Sequence, residues 1–486
     1  MAPEQHDPLP SPEPSPQAVS PVPIGEPGGT PPTGGPASPR TGLSRTGAIV
    51  LFFLALALLI GGLNNVSVGR DWQVRHSPSQ AVSGDEPHYL LVISSLLFDQ
   101  DLQLRDDYVR VARGSPEAGM RFRGVALDHH TLVSDPSSRQ TRYWHDVFDT
   151  GAPVLSEGRP VGFHQRDSRF PAGPDYEETS SHPVAFPALV ALLLAPFSPT
   201  PDHLERDVNR LQQLFCWLGA LAVYFIGRRA GFSRRQAVAA AALLVLASPW
   251  LAYSRSFFSE PAIALMLTLG LWALQCGRPV AASMAVSLAM AMKPPFVLVG
   301  AAWLLSRLWA RRWGEALRLA GGMLGGGVLL LAFNQWQSHV WLVSGAFGWV
   351  WARGLSGLHS TLLHPAYGLL MFVPWVPLAL GGLLEGRGRD GGRPSLSHDM
   401  ALPLLAYLGV LSASAFTGGT CYGPRYWIAV MPWLALAAVE CMRHWGRKGW
   451  LGLGLAALAA LWLSGPGALR YAELWDVPAA RGWTAR

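Results

Sequence analysis

The residues GAIVLFFLALALLIGGL (47–63) carry no charged side chain. Similar apolar runs recur at roughly 183–199, 210–227, 236–252, 258–276, 279–292, 294–308, 315–333, 364–383, 400–416, 425–442 and 449–464. They constrain the fold more than any other feature. A hydrocarbon core about 30 Å thick is crossed by about 20 apolar residues in a helix. The chain is 50% hydrophobic and only 14% charged, whereas soluble domains carry roughly 25% charged residues. The expected fold class is therefore an all-α polytopic membrane protein. Cys216, Cys276, Cys421 and Cys441 have no paired spacing, which fits neither a disulfide framework nor a zinc site.

Residues 1–45 are rich in Pro, Gly and Ser and read as a disordered cytoplasmic tail. Arg40 and Arg45 before the run at 47–63 suggest an uncleaved signal-anchor helix. Residues 64–209 read as a large first extracytoplasmic loop, polar as far as 182. Residues 46–464 make up the transmembrane domain, and 465–486 an extracytoplasmic C-terminal tail.

The arginine-rich loops set the orientation, because cytoplasmic loops carry the excess of Lys and Arg. The strongest clusters are GRRAGFSRR (227–235), RLWARRWGEALR (307–318), GRGRDGGRP (386–394) and RHWGRKG (443–449). Four, two and two apolar segments separate them in turn, so all four fall on one side. Placing Arg40 and Arg45 on that side requires one early segment not to span. The segment 183–199 lies in a proline-rich stretch and is expected to be re-entrant or interfacial, since proline removes a backbone donor. About eleven transmembrane helices remain, with the N-terminus inside.

This topology gathers the distinctive polar residues on the outer face: GDEPH (84–88), SSHP (180–183), YSRSFFSEP (253–261), MKPP (292–295), GLHSTLLHPAYG (357–368) and GGTCYGPRYW (418–427). Asp85 and Glu86 stand side by side. Acids at a helix N-terminus complement its dipole, so one reading is a solvated helix start. The other is a general base or a metal ligand at the membrane surface. Lys293 is one of only two lysines. It either snorkels to headgroups or supplies a point charge for a phosphate. Glu260 starts an apolar helix and either is capped by Ser259, with Arg255 as a neighbour, or joins a site. Arg425, between Tyr422 and Tyr426 and after Gly423 and Pro424, sits in a shaped turn where a guanidinium can hold a phosphate bidentately. Tyr422 and Tyr426 either join Arg425 in holding that phosphate or are interfacial belt aromatics. His88, His182 and His364 each lie at an outer helix start, the last two before a proline, and either hydrogen-bond a ligand or do nothing special.

No nucleotide-binding loop, metal-ligand spacing or Ser-His-Asp arrangement stands out. A lipid-carried donor therefore fits an outer-face reaction better than a soluble nucleotide does. No cofactor is required, although a divalent cation at Asp85 and Glu260 is compatible with the residues. No nucleic acid partner is expected; membrane lipids are.

Three stretches, SGDEPHYLLVISSLLFDQDLQLRDDY (83–108), SHPVAFPALVALLLAPF (181–197) and GGTCYGPRYWIAVMPWLAL (418–436), resemble the GT-C type integral membrane glycosyltransferases. The likeness is to the bacterial protein mannosyltransferases and aminoarabinose transferases. The resemblance implies a bacterial-type inner (plasma) membrane location, a polyprenyl-phosphate-linked sugar as donor and an extracytoplasmic acceptor. It implies Asp85 as base with Glu86 supporting, Glu260 joining the site, and Lys293 and Arg425 on the donor phosphate. The chain departs from the protein mannosyltransferases in having one proline, not two, after His182. Two rivals are a transporter or flippase of a polar lipid and a non-catalytic assembly subunit of an envelope polysaccharide system. The topology predicts that cysteines introduced at 200–209 are labelled by a membrane-impermeant maleimide from outside the cell. Labelling from the cytoplasm alone would make 183–199 a spanning helix.

Overall fold

A computed structural model describes residues 45–63, 85–107, 131–135, 137–147, 154–156, 159–161, 176–341, 354–385, 396–414 and 421–469. The expected tail at 1–44, Ser83 and Gly84, Gly418 and Gly419, the basic loop 386–394 and the tail from 470 lie outside the described residues. Residues 49–486 form one compact unit; of the unit before it, only the first turn of a helix is described.

Helix α1 spans Arg45–Leu63 and α2 Asp85–Ser94, the latter continued by one wider turn over Ser95–Asp99. A small antiparallel sheet follows, in the order β2 (Gln140–Tyr143), β1 (Thr131–Asp135), β5 (Glu177–Ser180). A separate hairpin pairs β3 (Val154–Ser156) with β4 (Arg159–Val161). These strands were not expected in a loop read as carrying interfacial helices. β1 is buried along its whole length, so it lacks the alternation of buried and exposed residues that marks a strand in sequence. Asp135 closes the turn after β1: it accepts from the backbone and hydroxyl of both Ser137 and Ser138. Those hydrogen bonds hold its carboxyl down at about 2.

The remaining helices are α3 (Ala185–Leu194), α4 (Leu204–Arg229), α5 (Arg234–Leu246), α6 (Glu260–Gln275), α7 (Pro279–Met292), α8 (Val297–Trp309) and α9 (Trp313–Ser338). After them come α10 (Gly354–Leu363), α11 (Val376–Glu385), α12 (Leu396–Ala413) and α13 (Met431–Leu469). Local chemistry sets many of their ends. Ser233 and Gln236 close a capping box at the start of α5. Pro261 and Pro279 sit in first turns, where their missing N–H costs nothing. α7 stops at Lys293, which is extended (φ −150°) because Pro294 follows it.

Three helical stretches are long and apolar enough to cross a membrane among the described residues: Trp313–Ser338, Leu396–Ala413 and Arg425–Leu469. The third bends at Gly446 (φ 59°, ψ −141°), so the expected runs 425–442 and 449–464 are two helices meeting at a glycine. The run 364–383 is broken into Leu369–Phe372 and α11, with Pro374 between them. α3 and its 3-10 end, Ala195–Phe197, total about 21 Å, short of a 30 Å core. Leucines stand exposed on α9 and α13, among them Leu324, Leu329, Leu451 and Leu458. Water does not favour such faces; lipid does.

The core is one large apolar cluster running from α1 to α13, with a small second cluster of Leu91, Val92, Leu104 and Val184. α4 is apolar in its second half, but its first half inserts Asn209 and Gln212 into the interior. These donate to the carbonyls of Arg255 and Phe258 and fix the turn before α6. The Trp217 indole donates to the Phe53 carbonyl of α1 at 3.1 Å.

On the sheet, Glu178 is buried. Burial pushes its carboxyl from 4.5 up to about 7, against the opposing charge of Arg105 and hydrogen bonds from Tyr176 and Trp144. Between those values the unfolded chain has released the proton and the folded chain has kept it. Stability therefore falls as pH rises through that window, by up to about 3 kcal/mol. Glu178→Gln should match the native melting temperature near pH 4 and exceed it at pH 8. Equal melting at both values would remove Glu178 from the buried, proton-holding role.

Candidate functional site

Four charged side chains from four separate parts of the chain meet at one end of the bundle. Asp85 opens α2, Glu260 opens α6, Lys293 links α7 to α8, and Arg425 begins the 3-10 turn Arg425–Val430 that leads into α13. Arg425 is the hub. Its Nε donates to Glu260 Oε1 at 2.7 Å, and its Nη2 pairs with Asp85 Oδ2. Lys293 Nζ pairs with the same Glu260 oxygen. His182 Nε2 lies 3.7 Å from Asp85 Oδ1. Two cations thus face two carboxylates. Arg425, Glu260 and Lys293 are nearly sealed from solvent, while 17% of the Asp85 side chain is exposed. Glu260 Oε2 is buried with no hydrogen-bond partner among the described residues.

Aromatic rings complete the enclosure. The Arg425 guanidinium sits 3.7 Å from the Phe258 ring centroid, and Lys293 Nζ lies 4.9 Å from that of Tyr426. Cation–π attraction strengthens where water is excluded. The Tyr253 and Tyr407 hydroxyls donate to the carbonyls of Tyr422 and Tyr426, at 3.0 and 2.7 Å, and so brace both sides of the Arg425 turn. Gly423 adopts φ +66°, and a Cβ there would press on the Phe372 ring at 3.3 Å. Only glycine takes that turn easily against that ring.

Burial would raise the Asp85 carboxyl, but the charges of Arg425, His182 and Lys293 outweigh it. They hold the group well below the ordinary carboxylate range. Asp85 is thus firmly ionised and, while Arg425 holds it, a weak base.

The remaining expected residues are distributed unevenly. Glu86 faces the interior, where its Oε1 accepts the Phe257 amide at 2.9 Å. It ties α2 to the turn before α6. His88 is fully buried, with its ring 6.1 Å from that of His182. The Arg255 guanidinium donates to the Ala468 carbonyl. The Tyr422 hydroxyl donates to the Leu463 carbonyl at 2.7 Å. His364 stacks on Tyr367 at 3.7 Å, and its Nδ1 accepts the Ala366 amide. Phe258, Tyr253, Tyr407, Asn209 and Gln212 support the site and were not singled out from sequence. Asn209 and Gln212 lie in the polar first half of α4, LERDVNRLQQ, where nothing in the sequence sets them apart from exposed neighbours.

On one side of Arg425, a space of about 10 Å³ lined by Thr361, Pro424, Arg425, Tyr426 and Trp427 has room for one water at most. The four charges neutralise one another. The two carboxylates converge on Arg425 rather than on a shared metal position. Among the described residues no three His, Cys, Asp or Glu side chains group as metal ligands.

No family model matches the chain, and no curated protein matches it. Among solved structures it is similar to ArnT from Cupriavidus metallidurans bound to undecaprenyl phosphate. The TM-score is 0.49 at 15% identity, covering 87% of this chain and 65% of that one. It is also similar to the Archaeoglobus fulgidus oligosaccharyltransferase in the apo form, with TM-score 0.46 at 12% identity, covering 88% and 56%. A third likeness is to the same organism's AglB in complex with an inhibitory peptide and a dolichol-phosphate, with TM-score 0.43 at 13% identity, covering 88% and 56%. These neighbours are GT-C glycosyltransferases, the class that the sequence resembles. The chain spans less than two thirds of their length.

Glu260 neutralises two cations in a dry interior. Glu260→Ala should cost about 3–5 kcal/mol, because it leaves buried charge uncompensated. Adding Lys293→Met should recover part of that loss. Thermal unfolding of the purified protein in detergent checks both, and a native-like melt for Glu260→Ala alone would refute the shared-charge arrangement.

Proposed function

We propose that this chain is a membrane glycosyltransferase that moves a sugar from a polyprenyl phosphate to an extracytoplasmic hydroxyl. The observation that carries this reading is Arg425 shared between Asp85 and Glu260, with Lys293 on the same Glu260. Such a cluster is costly to bury for stability alone. It suits a ligand that brings its own negative charge to two waiting cations.

At rest the carboxylates stand where phosphate oxygens would. A donor phosphate competes for Lys293 and for the Arg425 fork, for which guanidinium–phosphate geometry is favourable. As Arg425 turns to the phosphate, it releases Asp85. The freed carboxylate regains proton affinity and takes the proton of the acceptor hydroxyl. The acceptor oxygen attacks the anomeric carbon. The bond from that carbon to the phosphate oxygen breaks, and its electron pair leaves on the phosphate. Lys293 and Arg425 stabilise the charge that grows there. Glu260 keeps the two cations aimed. A single displacement of this kind inverts the anomeric configuration.

In this reading the apolar helices hold the prenyl chain. About eleven segments span, the arginine-rich loops face the cytoplasm, and 183–199 stays on the outer side. Asp85→Asn keeps the shape and removes the base. It should lower transfer from a polyprenyl-phosphate sugar by about 10²–10⁴ while the protein still melts cooperatively and still binds the lipid donor. Extracytoplasmic glycans produced at native levels by cells carrying only that variant would defeat the proposal.

A further inference from the structure

α6 runs about 24 Å from Glu260 to Gln275, and a second polar cluster lies at its far end. There a cavity of about 250 Å³ is lined by Arg229, Gln275, Arg307, Arg312, Glu315 and Asp399, with a few smaller neighbours. The side chains come from the ends of α4, α6 and α8 and the starts of α9 and α12. The proposed transfer reaction uses none of them.

Asp399 is fully buried and fully engaged. Arg307 grips it with Nη1 at 2.6 Å and Nη2 at 3.2 Å, and the Gln275 amide donates to Oδ2 at 2.6 Å. Glu315 is held far more loosely. Arg307 Nε lies 3.2 Å from its Oε2, and Arg312 Nη1 is 3.4 Å from its Oε1. A well-made charged pair closes to about 2.7–2.9 Å. The Arg307 Nε is 1% exposed as part of its side chain, and it makes no hydrogen bond among the described residues. A buried guanidinium N–H left in that state is costly, and the carboxylate beside it is itself 30% exposed. The exposed Arg229 borders the same space and donates Nε and Nη2 to the Gln275 carbonyl. Three guanidiniums against two carboxylates leave one positive charge in the cavity.

The surroundings say where such a cavity sits. Trp309 is 88% exposed and Trp313 61% exposed, on the turns that carry Arg307, Arg312 and Glu315. Leu305 and Leu317 are exposed beside them. Indole rings at the edge of an apolar face mark a membrane–water boundary, and basic pockets between helices at that level suit acidic headgroups.

We propose that this cavity binds a phosphate anion, supplied by the headgroup of an anionic phospholipid, and that Glu315 occupies the place until the lipid displaces it. A tetrahedral phosphate gives Arg307 Nε, Arg312 and Arg229 oxygens that one loosely held carboxylate does not. The site is separate from the Arg425 cluster, and its test does not depend on glycosyl transfer.

The test is native mass spectrometry of the full chain released from nanodiscs containing phosphatidylglycerol and phosphatidylcholine. The native protein should retain phosphatidylglycerol over phosphatidylcholine. Arg229→Gln and Arg312→Gln should each reduce that retention by about fivefold. Glu315→Gln removes the competing charge and should increase it, an outcome that loss of folding cannot produce. A parallel arm measures melting in detergent with inorganic phosphate. Protection there with the same dependence on Arg229 and Arg312, and no retained phosphatidylglycerol, upholds the anion site with a soluble source. Retention unchanged in Arg229→Gln and Arg312→Gln, or a Glu315→Gln protein that holds phosphatidylglycerol no better than native, overturns the proposal.

Discussion

The structure depends on keeping charge in an apolar interior without leaving any of it alone. An isolated ammonium or carboxylate there costs several kcal/mol even after relaxation. Arg425 removes that problem for three residues together. It joins Asp85 to Glu260, and Glu260 joins it to Lys293. The helices that carry these side chains are thereby held in one arrangement. Hydrophobic burial is non-directional and adds to this arrangement without naming which charges must meet.

The helix ends make this meeting possible. Lys293 is extended because a proline follows it, so it stands clear of both α7 and α8. Arg425 follows Pro424 and the left-handed Gly423, which turn the chain sharply into α13. Asp85 and Glu260 both open helices, where acidic side chains are favoured by the dipole as well as by the cations opposite. The supporting groups around them are backbone anchors. Glu86 holds the Phe257 amide, Asn209 and Gln212 hold the carbonyls of Arg255 and Phe258, and Tyr253 and Tyr407 hold those of Tyr422 and Tyr426. Glu86 therefore adjoins Asp85 in sequence but not in role: successive helical residues point about 100° apart, and only one of the two faces Arg425.

Much of the site was legible because its residues break the local pattern. Charges are rare beside apolar runs, lysine is almost absent, and Pro and Gly flank Lys293 and Arg425. The helix over 279–292 and the helix starts at Glu260 and near 45 could be read from the same contrasts. The strands around β1 could not, because a strand buried on both faces has no alternation to show. Tyr253, Tyr407 and Phe258 were equally hidden. An aromatic residue in an apolar segment looks the same whether it packs against lipid or braces a guanidinium.

The sequence by itself determined that this chain is built of apolar helices, where several of them begin, and which rare charges stand at their ends. Those features are local: periodicity, capping, proline geometry and hydropathy are written into neighbouring residues. Only the tertiary structure decided that Asp85, Glu260, Lys293 and Arg425 share one buried network, and that Arg255, Tyr422 and His364 turn to other partners. It also decided that Arg229, Arg307, Arg312 and Glu315, which the sequence shows only as members of basic loops, line one cavity. The Asp85–Arg425 and Glu260–Arg425 pairs join residues 340 and 165 positions apart. The physical reason is that burial and ion pairing act through space, and separation along the chain sets no rule for which charges will find each other.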